Sequence, residues 1–174
     1  MATLTNSLMT FEEFERLPEH PGKQELLRGE LIEVPPPKKR HGDIAKKLFV
    51  LLFDAVERNA VAIGAVEHER GYYVGGSSWL IPDVSVTHPN QQSGDYYEGA
   101  PLLAVEIVSP SNTANQVAAK VVEYLAQGSQ EIWVLYPELR LAWIHRKEGA
   151  ISVEGTLTSA LLPGLSIDLA ALFA

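Results

Sequence analysis

Along this chain the spacing of apolar residues switches repeatedly between a period near 3.6 and a period of 2, which predicts helices interleaved with strands. Thr10-Phe11-Glu12-Glu13 has the form of a capping box and opens a short helix through Leu17, which Pro18, Pro21 and Gly22 then stop. Residues 24–34 hold two short alternating runs that meet at Arg28-Gly29, the pattern of a hairpin, and Pro35-Pro36-Pro37 ends it stiffly. From Asp43 to Asn59, the residues Ile44, Leu48, Leu51, Leu52, Ala55 and Val56 recur at helical spacing. Strands are expected over residues 61–69, 71–74 and 79–87, followed by an exposed loop over 88–101.

The run 102–108 is almost wholly apolar, as a central strand covered on both faces should be. A helix follows from Thr113 to Gln127, with Gly128 placed as its C-cap. Further strands are expected over 131–136, 140–146 and 151–154, before a short apolar tail over 161–173. Helices and strands mixed in this order predict an α/β architecture. No repeat or linker divides the chain, and 174 residues suit one domain over 1–174.

Composition narrows the chemistry. With no cysteine, disulfides, thiolate zinc sites and cysteine nucleophiles are excluded. Residues 1–10 lack the form of a signal peptide, and no apolar run approaches the roughly 18 residues of a membrane span. A soluble, cytoplasmic protein with no membrane partner is expected. The net charge of −8 argues against a protein that coats nucleic acid through its overall field. An enzyme with carboxylates at its centre and a local basic patch is still allowed.

Two carboxylates stand where carboxylates are costly. Glu106 interrupts the apolar run, where an isolated buried charge would cost several kcal/mol. Asp83 stands similarly after Pro82, whose missing N–H marks a bulge or distortion beside the acid. Taken singly, each acid is equally well read as ending its strand or facing solvent. Lys120 belongs to the helix whose inward stripe is Val117, Val121 and Tyr124. It lies at the edge of that stripe, from which its ammonium can reach toward Asp83 and Glu106, with snorkelling to water as the competing view.

Other chemistries find little support. There is no Gly-rich phosphate loop, no serine-nucleophile elbow and no His-Glu-x-x-His pair. His68 alternates away from Glu67 and Glu69 on its strand. Trp79, Trp133 and Trp143 stand in strand-like runs and are expected in the core.

The ordered set Pro82-Asp83, then Leu102-Leu103-Ala104-Val105-Glu106-Ile107-Val108-Ser109-Pro110-Ser111, then Lys120 with Tyr124, resembles the Uma-two family of restriction-endonuclease-like proteins. The similarity begins at Glu25-Leu26-Leu27-Arg28-Gly29-Glu30-Leu31 and includes His41. It continues through Gly128-Ser129-Gln130-Glu131-Ile132-Trp133-Val134 to Leu162-Pro163-Gly164-Leu165-Ser166-Ile167-Asp168-Leu169. The resemblance implies a restriction-endonuclease-like PD-(D/E)XK core, a central mixed β-sheet flanked by helices, that hydrolyses DNA phosphodiesters with Mg2+, or Mn2+ in its place. It further implies Asp83, Glu106 and the main-chain carbonyl of Ile107 as metal ligands, with Glu25 the best match to a further acidic position ahead of Glu30 and Glu33. The superfamily's lysine, two residues after the second acid, is replaced here by Val108, and Lys120 is the residue that would supply its charge.

Lys38, Lys39, Arg40, Lys46 and Lys47 form a basic cluster in an acidic chain. This cluster is a candidate phosphate-tracking patch or simply a solvated helix end. His41, following it, is read as a phosphate contact or proton relay, or as an exposed loop residue. Three readings therefore remain: a DNA endonuclease, a nuclease-like fold that binds nucleic acid or protein without cutting, and a structural or assembly protein. A homodimer would ease double-strand cleavage, but no residue pattern marks an interface.

Overall fold

The computed structural model describes residues 8–59 and 63–174. The capping box at Thr10 and Glu13 forms as expected and starts α1 (Phe11–Glu15). The hairpin is β1 (Lys23–Leu27) and β2 (Glu30–Val34), closed by Arg28 and Gly29 with φ of 52° and 85°. Two successive positive φ values match the right-handed twist of the strands, which is why glycine follows the arginine. Helix α2 (Lys39–Arg58) begins four residues before Asp43, directly after the proline run. His41 is therefore a first-turn helix residue, not a loop residue.

The largest departure lies in 79–87, where one strand was expected. The chain there forms β5 (Ser78–Leu80) and β6 (Val84–Val86), which belong to different sheets. Pro82 cannot continue a hydrogen-bonded ladder, and Ile81-Pro82-Asp83 becomes the passage between the sheets. Upstream, β3 (Val66–His68) is shorter than expected, residues 61 and 62 lying outside the described residues, and β4 (Tyr72–Gly75) pairs with β5. The loop over 88–101 contains the two-residue β7 (Tyr97–Glu98), parallel to β4.

The central strand is β8 (Leu103–Ile107), followed by α3 (Ala114–Ala126), which Thr113 and Gln116 cap reciprocally. Then come β9 (Glu131–Tyr136), β10 (Leu141–Arg146) and β11 (Gly149–Glu154). The tail is more ordered than its apolar pattern suggested. It holds β13 (Ile167–Asp168), which pairs with β12 (Thr156–Leu157) just upstream, and α4 (Leu169–Phe173) capped by Asp168.

A five-stranded sheet runs β2-β1-β5-β4-β7, and a six-stranded mixed sheet runs β11-β10-β9-β8-β6-β3. Period-2 alternation divides the six-stranded sheet between two cores. Leu103, Val105, Ile107, Trp133 and Leu135 pack with α2 and α4. Ala104, Ile132 and Val134 pack with Tyr124 of α3 and with Leu27, Tyr72 and Leu80 of the other sheet. Glu106 shares the face of Ala104, so β8 aims it toward α3. Trp133 is fully buried, but Trp143 is 38% exposed, because it lies on the face of β10 opposite Ala142 and Ile144, the residues that enter the core. No helix among the described residues is long and apolar enough to cross a membrane.

Candidate active site

Asp83 ends the passage between the sheets, where its main-chain N–H donates to the Val105 carbonyl at 3.0 Å. That bond holds Asp83 against β8, and its Oδ2 accepts the Ile107 N–H at 2.7 Å. In a strand the N–H and C=O of one residue point to the same side. The Ile107 carbonyl therefore faces the side occupied by Asp83. Oδ1 of Asp83 lies 3.0 Å from Nε2 of His41 and 3.9 Å from Nζ of Lys23.

Glu106 is met from α3. Its Oε1 accepts the Tyr124 hydroxyl at 3.0 Å, and its Oε2 accepts Lys120 Nζ at 3.0 Å. Lys120 also donates to Oε1 of Glu25 at 3.0 Å, and the same oxygen accepts the Ile81 N–H at 2.8 Å. Oε2 of Glu25 lies 2.7 Å from the ammonium but accepts no well-angled hydrogen bond, so charge attraction rather than a directed bond holds it. Glu25 is completely buried and Lys120 nearly so. A buried ammonium thus bridges two glutamates from separate sheets, and Glu25 also pins the passage that carries Asp83.

Burial pushes Glu106 up to about 7, the nearby carboxylates of Glu25 and Asp83 add to the shift, and Lys120 offsets only part of it. For Lys120, burial opposes the charged form, but attraction to Glu106 and Glu25 outweighs it and raises the ammonium's pKa. Burial likewise opposes ionisation of Asp83, but the His41 hydrogen bond, Lys23 and the Ile107 N–H together lower its pKa. The bond to Asp83 raises His41 despite partial burial.

These groups open into a cleft of about 760 Å³, lined also by Lys38, Arg40, Ser109 and Asn112. Glu25, His41, Asp83, Glu106, Ile107 and Lys120 are all brought together. Two expectations need correction. The bonds of Lys120 go to Glu106 and Glu25, whereas Asp83 is paired with His41 and Lys23. The basic cluster is also not a uniformly available patch. Lys39 pairs with Asp43 at 2.6 Å, Arg40 with Glu138 at 2.7 Å, and Lys47 reaches the Ala174 carbonyl at 3.1 Å. Lys23 was not singled out from the sequence. Its signal was the alternation of β1, which puts it on the same face as Glu25.

Among the described residues, no group of three or more His, Cys, Asp or Glu is placed to hold an ion alone. The groups expected to serve, Asp83, Glu106 and the Ile107 carbonyl, would offer oxygen donors only, the two carboxylates being engaged here by the Ile107 N–H and His41 and by Tyr124 and Lys120. Such a set fits magnesium, which typically takes one or two carboxylates and keeps several waters.

A family model described as "Putative restriction endonuclease" matches residues 11–170. The chain belongs to this family, Uma-two. Among solved structures, the crystal structure of "a putative nuclease belonging to DUF820" from Anabaena variabilis ATCC 29413 has the same fold. Its TM-score is 0.82 at 21% identity, over 95% of this chain and 97% of that one. None of the curated proteins matches significantly. In this Uma-two chain, Asp83 just before β6, Glu106 of β8 and Lys120 of α3 lie in one cleft.

Proposed function

We propose that this protein is a metal-dependent DNA endonuclease of the PD-(D/E)XK type, acting as one domain over 1–174. The observation that carries this reading is the convergence of Asp83, Glu106 and Lys120 on one cleft. Val108 occupies the usual lysine position, yet Lys120 reaches Glu106 from the following helix at 3.0 Å. Asp83, Glu106 and the Ile107 carbonyl would hold the ion, magnesium or manganese. When bound, that ion supplies Lewis acidity at the scissile phosphate and lowers the pKa of an attacking water.

The chain's own groups set the stage around this centre. Lys120 keeps two glutamates side by side against their mutual repulsion and adds fixed positive charge where charge grows on the phosphate. Tyr124 orients the Glu106 carboxylate through Oε1. Glu25 positions Lys120 and is itself buried too deeply to face substrate. Lys38 and Arg40 line the cleft, where Lys38 would meet neighbouring DNA phosphates and Arg40 would do so on leaving Glu138, with His41 held back on Asp83. Cutting both strands of a duplex would engage two copies.

Conversion of supercoiled plasmid to nicked circles, dependent on added magnesium or manganese, tests the proposal. Wild-type protein that binds DNA without nicking under either ion would instead identify a binding module.

Metal affinity should also depend on pH with a defined sign. Glu106 is protonated below about 7 and must lose that proton to act as a ligand. The Asp83 bond favours protonated His41, which competes with the ion in the same direction. Apparent manganese affinity should therefore climb by about tenfold per unit on approaching pH 7 from below, then level off. Calorimetry at several pH values checks this, and an affinity that stays flat from pH 5.5 to 8 would remove Glu106 from the ligand set.

A further inference from the structure

The basic residues of the cleft differ in how far their charge is already committed. Lys120 spends its ammonium on two carboxylates at 2.7–3.0 Å. Arg40 is held by Glu138 at 2.7 Å and by the Phe173 carbonyl at 3.2 Å, and His41 by Asp83 at 3.0 Å. Lys38 is exposed at the start of α2. Lys23 differs from the first three in being uncommitted and from Lys38 in being largely buried. Its Nζ is 3.9 Å from Asp83, close enough for attraction but outside hydrogen-bond reach, so that contact leaves its N–H donors available.

We propose that Lys23 is the residue through which the cleft binds the substrate phosphate beside Asp83, a role that rests on the nuclease reading above. Strand β1 carries Lys23 two positions before the buried Glu25, on the same face, so Lys23 is aimed toward the cleft from a hydrogen-bonded strand. The side chain is only 21% exposed, so its stem is already partly ordered and little rotamer freedom is lost on binding. A cation bound at the Asp83 carboxylate would weaken its hold on Lys23 and leave the ammonium free to hold a phosphate oxygen. Lys120 organises the carboxylates, and Lys23 holds the phosphate.

The test is the affinity of the full chain for a short DNA duplex, measured in calcium to read binding without turnover, across a range of salt. Lys23→Met should weaken binding about tenfold and reduce the slope of log affinity against log salt by about 0.9. Lys23→Arg should restore most of the affinity. Manganese affinity by calorimetry should be unchanged or slightly tighter in Lys23→Met, because a competing cation has left Asp83. Wild-type DNA affinity and slope in Lys23→Met would overturn the assignment, as would a variant that loses only manganese binding. The nuclease reading fails separately. Wild-type protein that binds DNA through Lys23 but never nicks plasmid would remove that reading and keep this contact. Nicking by the wild type, with undiminished DNA binding by Lys23→Met, would do the reverse.

Discussion

Lys120→Met is expected to destabilise the fold by about 3–5 kcal/mol as well as to lower turnover by about 10²-fold or more. On helical position alone, methionine is a near-isosteric replacement that keeps the packing and deletes the charge. The site predicts a larger effect, because the Lys120 side chain is 11% exposed and bridges Glu25, at 1%, to Glu106, at 12%. Removing the ammonium leaves Glu25 buried with the Ile81 N–H as its remaining hydrogen-bond donor. Breaking one side of a buried pair is costly because the other charge is stranded.

A double variant separates this cause from simple loss of packing. Lys120→Met with Glu25→Gln should recover more than about 1 kcal/mol of the loss, because the stranded charge has gone. It should recover no activity. Urea unfolding of the four proteins in the cycle measures the coupling. A loss below about 1 kcal/mol for Lys120→Met, or strict additivity in the cycle, would show that Lys120 is not the keystone of the carboxylate cluster.

Asp83→Asn and Glu106→Gln should each remove measurable manganese binding and lower nicking by about 10³-fold, with the fold retained. The choice of amides matters. Oδ2 of Asp83 accepts the Ile107 N–H at 2.7 Å, and an asparagine oxygen can keep that bond. Alanine would leave the donor without its partner at a cost of about 1–3 kcal/mol, so a metal-binding defect in Asp83→Ala would mix two causes. In Glu106→Gln the amide oxygen can still accept from Lys120 or Tyr124, and Lys120 keeps Glu25 as its counter-charge. That substitution also removes a carboxylate whose ionisation burial opposes. Thermal melting should therefore show small changes while calorimetry shows no binding. Full manganese affinity in both variants would mean that the ion binds elsewhere.

Much of the site was legible because physics penalises its residues where they stand. A glutamate inside an apolar run and an aspartate after a strand-breaking proline are costly unless something compensates them, so Glu106 and Asp83 stood out. Helical periodicity placed Lys120 at the edge of a buried stripe for the same reason. The pairings were not legible, because they join residues far apart in the chain. Glu25 meets Lys120 across 95 positions and His41 meets Asp83 across 42, and no local period encodes either contact.

The local pattern likewise determined the capped helix α1, the β1–β2 hairpin, the buried strand β8 and the helix α3, each through hydrogen bonds and apolar spacing within a few residues. Only the tertiary structure decided that residues 79–87 divide between two sheets. Both halves are apolar and strand-like, and which sheet each joins depends on partners distant in sequence, β1 and β4 for one, β3 and β8 for the other. That division makes the cleft. It carries Asp83 from one sheet to the other, beside Ile107 and opposite α3, where an acid that any strand end could have exposed to water becomes half of a candidate metal site.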